Sequence, residues 1–362
     1  MIPLTPSLMS LLDLCIARDA SDLHLTQGQP PWLRCQGNLQ TLDVEPPDLA
    51  AAVAQLPPSR RTLFDETGVL DLALASSNGT RFRGHLYQHR GSLAATFRRL
   101  ESRFRSFQDL GLPESLGDLA LLHDGLVLMT GPTGSGKTTT LATILDTICR
   151  TRACHVVTIE DPIEYLYHNG GSLVHQRELH SDVPDFPSAV RAAMREDPDV
   201  ILIGEMRDLE TMRAAVTAAE TGHLVFSTLH TGSAVGAMER LLGMFPAAEQ
   251  PLIAQQMSMV LRVVVSQRLV VARQGDRRLP AVEVLRITPA VANMVRQRKT
   301  EQMYSAMENA RADGMQTMEQ SLAMLAAGGR VQTHEARRQS AMPDVFDRWM
   351  KHYAGNGGTR TP

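Results

Sequence analysis

The N-terminal apolar pattern begins as a helix. Leu8, Met9, Leu11, Leu12, Leu14, Cys15 and Ile16 form a stripe at helical spacing, and the turn-rich run Gln27-Gly28-Gln29-Pro30-Pro31 follows it. Val69 to Ala75 and Arg81 to Gln88 read as two strands. Between them, Ser77-Asn78-Gly79 carries the Asn-Gly pair that favours a tight hairpin turn. Residues 1–98 are therefore expected to form a small α/β domain. The polar stretch from Glu101 to Gly117, punctuated by Gly111 and Pro113, places a linker over residues 99–117.

A larger domain is expected over residues 118–345. Short apolar runs at Leu126–Thr130, His155–Ile159, Val200–Ile203 and Leu224–Thr228 are bounded by turn or charged residues. Amphipathic segments separate them, with Leu141, Ile144, Leu145 and Ile148 at helical spacing. Such alternation predicts βαβ units, a largely parallel sheet and an α/β fold class. From Pro289 onward the pattern is helical only. Residues 346–362 are expected to be a partly disordered tail, since Gly355 to Pro362 is rich in Gly and Thr. Val345, Phe346 and Trp349 at its start are read as packing residues rather than a partner-binding helix.

Composition narrows the class. A chain of 362 residues is long for one core, which favours two domains. With 43% apolar and 21% charged residues it resembles ordinary globular proteins. The net charge of -3 gives no support for a nucleic-acid partner. No 18-residue apolar stretch is present, and Met1 to Asp13 lacks the pattern of a signal peptide, so a cytoplasmic location is expected. Cys15, Cys35, Cys149 and Cys154 form no C-x-x-C pair and read as reduced thiols.

The strongest chemical signal is Gly131-Pro132-Thr133-Gly134-Ser135-Gly136-Lys137-Thr138, followed by Thr139. It matches G-x-x-x-x-G-K-[ST], with an apolar strand before it and an amphipathic helix after it. The glycines let backbone N–H groups close around an anion, and the new helix turns its positive end toward the same place. Lys137 is expected to reach the β- and γ-phosphates of ATP, and the Thr138 hydroxyl to ligate Mg²⁺.

Phosphoryl transfer to water also needs a metal-holding or water-orienting acid at a neighbouring strand end. Two segments supply one: Thr158-Ile159-Glu160-Asp161-Pro162-Ile163-Glu164, and Asp199 to Ile203 leading into Gly204-Glu205. Glu160 and Glu205 join Thr138 as candidate magnesium ligands, because ligands gather beyond the carboxyl ends of parallel strands. His223 and His230 flank the strand Leu224–Thr228. Their odd spacing of seven would point them to opposite faces of an ideal strand, so spacing alone reads both as structural.

Taken together, these segments resemble the secretion-superfamily ATPases, most closely the PilT-type retraction ATPases of type IV pili. T-I-E-D-P-I-E at 158–164 is similar to the family's Asp box, G-E-M-R-D-L-E-T at 204–211 to its Walker B region, and A-A-E-T-G-H-L-V-F-S-T-L-H-T at 218–231 to its His box. The likeness extends to A-S-D-L-H-L at 20–25, H-R-G at 89–91 and G-M-Q-T at 314–317, covering nearly the whole chain to about Phe346. The resemblance implies a RecA-like P-loop core with a smaller N-terminal PAS-like domain. It implies that Glu164 and Glu205 position the attacking water, that His230 senses the γ-phosphate, and that His223 assists. It also implies that Arg98, with Arg83 beside it, reaches the nucleotide from the N-terminal domain. A homohexameric ring is implied, acting on an inner-membrane pilus platform protein, with a paralogous retraction ATPase as a further partner.

One departure bears on the role. Where retraction ATPases read A-I-R-N-L-I-R-E, this chain has Ala290 to Gln297, with Ala292 for the first arginine and Gln297 for the glutamate. ATP hydrolysis is thus the firmer expectation. A secretion-machine ATPase is the first alternative, although the four-cysteine zinc insertion usual in extension and type II secretion ATPases has no counterpart here. A non-hydrolysing subunit of a mixed ring is opposed by Lys137, Thr138, Glu164 and Glu205. A helicase is opposed by the lack of a basic stretch interleaved with aromatics.

Overall fold

A computed structural model describes residues 6–35, 37–100, 103–168, 170–275 and 277–355. They fall into two compact units, Met1–Arg103 with Pro162–Leu166, and Phe104–Asp161 with Tyr167–Pro362.

The first unit opens with α1 (Pro6–Ala17), then β1 (Asp22–Thr26), β2 (Trp32–Cys35), β3 (Asn38–Thr41), α2 (Leu49–Ala54) and α3 (Pro58–Thr67). It closes with β4 (Val69–Ala75), β5 (Arg81–His89) and β6 (Ser92–Arg99). The six strands form an antiparallel sheet in the order β3-β2-β1-β6-β5-β4. Period-two alternation gives it one apolar face. Leu23, Leu25, Leu70, Leu72, Leu74, Phe82, Leu86 and Phe97 bury that face against Leu8, Leu11 and Leu12 of α1 and Phe64 of α3. The β4–β5 hairpin turns at Asn78-Gly79, where Gly79 has φ +85°, a left-handed conformation that costs glycine little.

The second unit begins with α4 (Phe107–Leu110) and a 3₁₀ helix at Glu114–Leu121. Next come β7 (Gly125–Thr130), α5 (Lys137–Thr151), β8 (His155–Glu160), β9 (Leu173–Glu178), α6 (Phe186–Ala193), β10 (Val200–Ile203) and α7 (Leu209–Glu220). The chain continues through β11 (Leu224–Leu229), α8 (Ala234–Gly243), α9 (Gln250–Val260), β12 (Leu261–Val271) and β13 (Arg278–Arg286). Five helices finish it: α10 (Pro289–Gln297), α11 (Met303–Asn309), α12 (Met318–Ala327), α13 (Thr333–Gln339) and α14 (Pro343–Gly355).

Its seven strands are ordered β13-β12-β7-β11-β10-β8-β9, all parallel to their neighbours except β13. Every residue of β7, β10 and β11 is buried, as expected of strands covered on both faces. Leu126, Leu128, Ile201, Ile203 and Val225 pack toward α6, α7, α8 and α9. Their alternates Val127, Met129, Val200, Leu202, Leu224 and Phe226 pack toward α5 and the 3₁₀ helix. The fold is thus α/β with a phosphate-loop core.

Two boundary expectations are corrected. Much of the 99–117 segment is structure rather than linker. Ser106 caps α4 in a reciprocal capping box with Asp109, and Leu112 and Leu116 are buried in the second core. The expected tail begins too early at residue 346, because Phe346 is fully buried against Met318, Leu322 and Ala336, with Trp349 packed alongside. The Gly/Thr-rich end, residues 356–362, lies outside the described residues.

Candidate nucleotide site

Parallel strands deliver their C-terminal ends to one edge, and the phosphate loop starts there. Leu229 of β11 is in register with Thr130 of β7, the residue before Gly131. Gly131 has φ +143°, and a Cβ there would sit 2.3 Å from the Gln267 carbonyl, so only glycine fits. Gly136 caps α5 at φ +87° with Gln267 Nε2 only 2.8 Å from its would-be Cβ. Pro132, Thr133 and Gly134 are exposed at the loop's tip, and Thr138 and Thr139 lie in the first turn of α5, Thr138 exposed.

Lys137 is buried, and its Nζ donates to the carbonyls of Gly131 at 2.8 Å and Pro132 at 3.1 Å. Burial lowers its pKa, and the Glu205 carboxylate opposes that shift. Ser135 Oγ is buried and meets no hydrogen-bond partner among the described residues. An unpaired buried hydroxyl is costly unless something polar meets it, so a cradle containing one fits an anion.

Glu205 follows β10 and is oriented on both oxygens. Arg207 Nη2 donates to Oε1 at 2.7 Å, and His230 Nε2 donates to Oε2 at 3.3 Å. A carboxylate only accepts, which fixes the proton on His230 Nε2. The backbone beneath is tied down by Thr228 Oγ1 donating to Gly204 O at 2.7 Å and Ser227 Oγ to Ile203 O at 2.8 Å. Glu160, ending β8, is buried, and its Oε1 accepts from Thr158 Oγ1 at 2.6 Å and Gln176 Nε2 at 3.1 Å.

Lys137, Glu205 and His230 thus belong to one strand-end edge. His223 does not. It precedes β11, and its carbonyl accepts from Gly125 N at the start of β7. The length of β11 separates it from His230 by roughly 20 Å. Its Nδ1 donates to Ala218 O at 2.9 Å and also lies 3.0 Å from Thr221 Oγ1, at the C-terminus of α7. A catalytic His223 acting on its own chain's phosphate loop is therefore corrected to a helix-end histidine.

Arg98 and Glu164 belong to the first unit. Arg98 Nε donates at 2.8 Å to Asp22, a buried carboxylate that also accepts from Ser21. Burial favours a higher Asp22 pKa, but the Arg98 and Ser21 hydrogen bonds outweigh it and the net shift is downward. Arg83 is the cross-strand partner of Arg98.

Sequence reading missed three contributors. Gln267 on β12 is buried and clamps the loop, donating to Ser135 O at 2.7 Å and accepting from Thr140 Oγ1 at 2.8 Å. Arg207 orients Glu205. Thr231 locks the His230 loop to β7, its N–H donating to Thr130 Oγ1 at 3.0 Å. A lone glutamine within a β-branched run was the available signal for Gln267.

Among the described residues no cluster of three or more His, Cys, Asp or Glu could hold a metal. Mg²⁺ takes one or two protein ligands and completes its shell with phosphates and water. Exposed Thr138 and partly exposed Glu205, although the latter is held by Arg207 and His230, are more accessible to such an ion than buried Glu160.

With this geometry in place, residues 89–338 match the family model described as "Type II/IV secretion system protein". The chain belongs to that family. The "Type IV pilus retractation ATPase PilT" of Pseudomonas aeruginosa is 41% identical over 93% of this chain and 98% of its own length. A "Twitching motility protein" of Neisseria gonorrhoeae is 39% identical over 86% of this chain and 84% of its own. Among solved structures, the pilus retraction motor PilT with bound ADP superposes at TM-score 0.87 and 39% identity, covering 96% of this chain and all of that one. The ATPase DotB of Legionella pneumophila superposes at TM-score 0.82 and 26% identity, covering 93% and 97%.

Proposed function

We propose that this chain hydrolyses Mg·ATP as the motor subunit of a type IV pilus retraction machine. The observation that carries the reading is the meeting of Lys137, Glu205 and His230 at one edge of the sheet, beside a phosphate loop whose Gly131 and Gly136 leave no room for a Cβ. Bound Mg·ATP would supply the γ-phosphoryl group and the charge that neutralises its oxygens. The loop amides, Lys137 and Ser135 bind phosphate; Thr138 and Glu205 hold the metal; and Glu160 backs them as a second acid. His230 fixes the Glu205 carboxylate so that its free lone pairs orient water. Glu164 and Arg98 keep the water-positioning and charge-stabilising roles that the family motifs suggest.

The PilT and twitching-motility relatives support retraction as the use of that hydrolysis. The partners proposed with it are further copies of this chain in a hexameric ring, a platform protein and a paralogous retraction ATPase. Among the described residues no helix is long and apolar enough to cross a membrane, so attachment at the inner membrane would go through the platform. The matching family model, described as "Type II/IV secretion system protein", favours a secretion-machine ATPase as the second reading.

Phosphate release by the purified chain with Mg·ATP tests the chemistry. Glu205→Ala should keep nucleotide binding while turnover falls on the order of a hundredfold. Loss of binding as well would recast Glu205 as part of the loop's scaffold. Deletion of the gene tests the role: excess surface pili without twitching supports retraction, and normal pili with impaired secretion supports the second reading.

A further inference from the structure

Two side chains outside the phosphate loop, buried Glu283 and partly exposed Arg268, tie the His230 loop to the C-terminal helices. Glu283 on β13 is 2% exposed. Its Oε1 accepts from Ala234 N at 2.5 Å and its Oε2 from Met318 N at 3.4 Å. Those residues open α8 and α12, so one carboxylate meets the unpaired N–H groups and positive ends of two helices. On neighbouring β12, Arg268 Nη2 donates to Gly232 O at 3.0 Å, and Nη1 donates to Gln339 O at the end of α13 at 2.5 Å. The segment 232–234 is thus bridged twice to the C-terminal helices. Just before it, Thr231 is held on the other side by Thr130, next to the phosphate loop.

We propose that Glu283 and Arg268 are positioning residues for turnover, a double strut through which α12 and α13 set the His230 loop against Glu205. The inference rests on the reading of the site as an ATPase centre. A buried charge is costly, and an apolar residue would pack β13 at lower cost, so the two helix N–H groups it serves account for its presence. The strut is also titratable. Burial pushes the Glu283 carboxyl up to about 7. The Ala234 N–H opposes that rise, Glu319 of α12 adds to it, and the Met318 N–H and Arg268 oppose it. Protonation near neutral pH removes acceptor capacity from one oxygen and releases one helix end.

The test measures phosphate release by the full chain from pH 6 to 8.5, with thermal melting alongside. A glutamine has one carbonyl oxygen, so Glu283→Gln is a strut held permanently at one end. We expect kcat about tenfold below native at pH 8 with KM for ATP within about twofold. The native fall in kcat toward pH 6 should flatten in the variant. Arg268→Lys cannot span both carbonyls, and it should lower kcat similarly at native KM and melting temperature. If Glu283→Gln fails to fold, Arg268→Lys decides. Native-like kcat and pH profile, or kcat, KM and melting temperature collapsing together in both variants, overturns the proposal. An inactive native chain would sink the ATPase reading and the strut with it; an active native chain with indifferent variants sinks only the strut.

Discussion

The two ends of the seven-stranded sheet carry similar residue types and do different things with them. At the C-terminal edge, Glu205 is held between His230 and Arg207, and Lys137 senses its charge. At the N-terminal edge, Asp199 Oδ2 accepts from His155 N at 2.8 Å, His155 Nε2 lies 2.9 Å from His175 Nδ1, and His223 meets the end of α7. The polar groups there satisfy neighbouring backbone and one another. Those of the other edge lie beside a glycine-built loop whose buried Ser135 hydroxyl meets no partner among the described residues. Chemistry collects where parallel strands release the chain into loops, and the helix that follows the phosphate loop, α5, presents its N-terminus at that edge. One sequence motif, residues 218–231, runs from one edge to the other.

The contrast is broken most severely at Lys137. Lys137→Ala should reduce phosphate release on the order of a thousandfold, because the buried ammonium is the loop's own positive charge. Near-native turnover would show that the C-terminal edge is not the site. Titration sharpens the point. Burial lowers the Lys137 pKa and Glu205 holds it up, so Glu205→Gln should let Lys137 lose its proton at lower pH. Nucleotide affinity in that variant should then fade at a lower alkaline pH than in the native chain, measured by equilibrium binding. An unchanged alkaline limit would mean the two groups do not communicate.

Legibility in the sequence followed the same edge. The buried strands were readable because short apolar runs stood between turn signals: Val200–Ile203 coincides with β10, and Leu224–Thr228 falls one residue short of β11. The phosphate loop was readable because backbone geometry permits little besides glycine at Gly131 and Gly136. By contrast β12 was hidden. The apolar residues of α9 run through Met257, Met259 and Val260 into Leu261 and Val263 with no Gly or Pro to mark the change of period. Gln267 was lost with that strand. The helical turns within 104–121 were masked by their polar surface, and just Leu112, Leu116, Leu119 and Ala120 are buried in the core. For the histidines, spacing pointed to opposite faces and the family likeness to a shared role, and the structure places them at opposite ends of β11. Seven residues of strand are a long distance as well as a change of face, and distance is what separates His223 from the loop.

His230 tests the near end of that motif. Replacing it by alanine removes the donor on Glu205 Oε2 and leaves Arg207 on Oε1. The carboxylate stays in place but loses one of its two guides. We expect kcat to fall roughly ten- to hundredfold with ATP affinity little altered. Steady-state kinetics with separate nucleotide binding checks the split. A change in affinity without a change in kcat would make His230 a ligand contact rather than an orienting group.

His223→Ala asks whether the far end has any part in the reaction. The side chain donates to Ala218 O where α7 ends, so its removal leaves that carbonyl to Thr221 and to the backbone N–H at position 223. Losing one partly exposed hydrogen bond should cost about 1 kcal/mol and lower the melting temperature by roughly 2–4 °C. Turnover should remain within about threefold of native, since roughly 20 Å of strand separates the residue from the phosphate loop. The opposite result would be more informative. A tenfold loss of kcat at native melting temperature could not arise through this chain's own loop. It would require the N-terminal edge of one subunit to serve the C-terminal edge of another, and the difference between the two edges would then belong to the ring rather than to the fold.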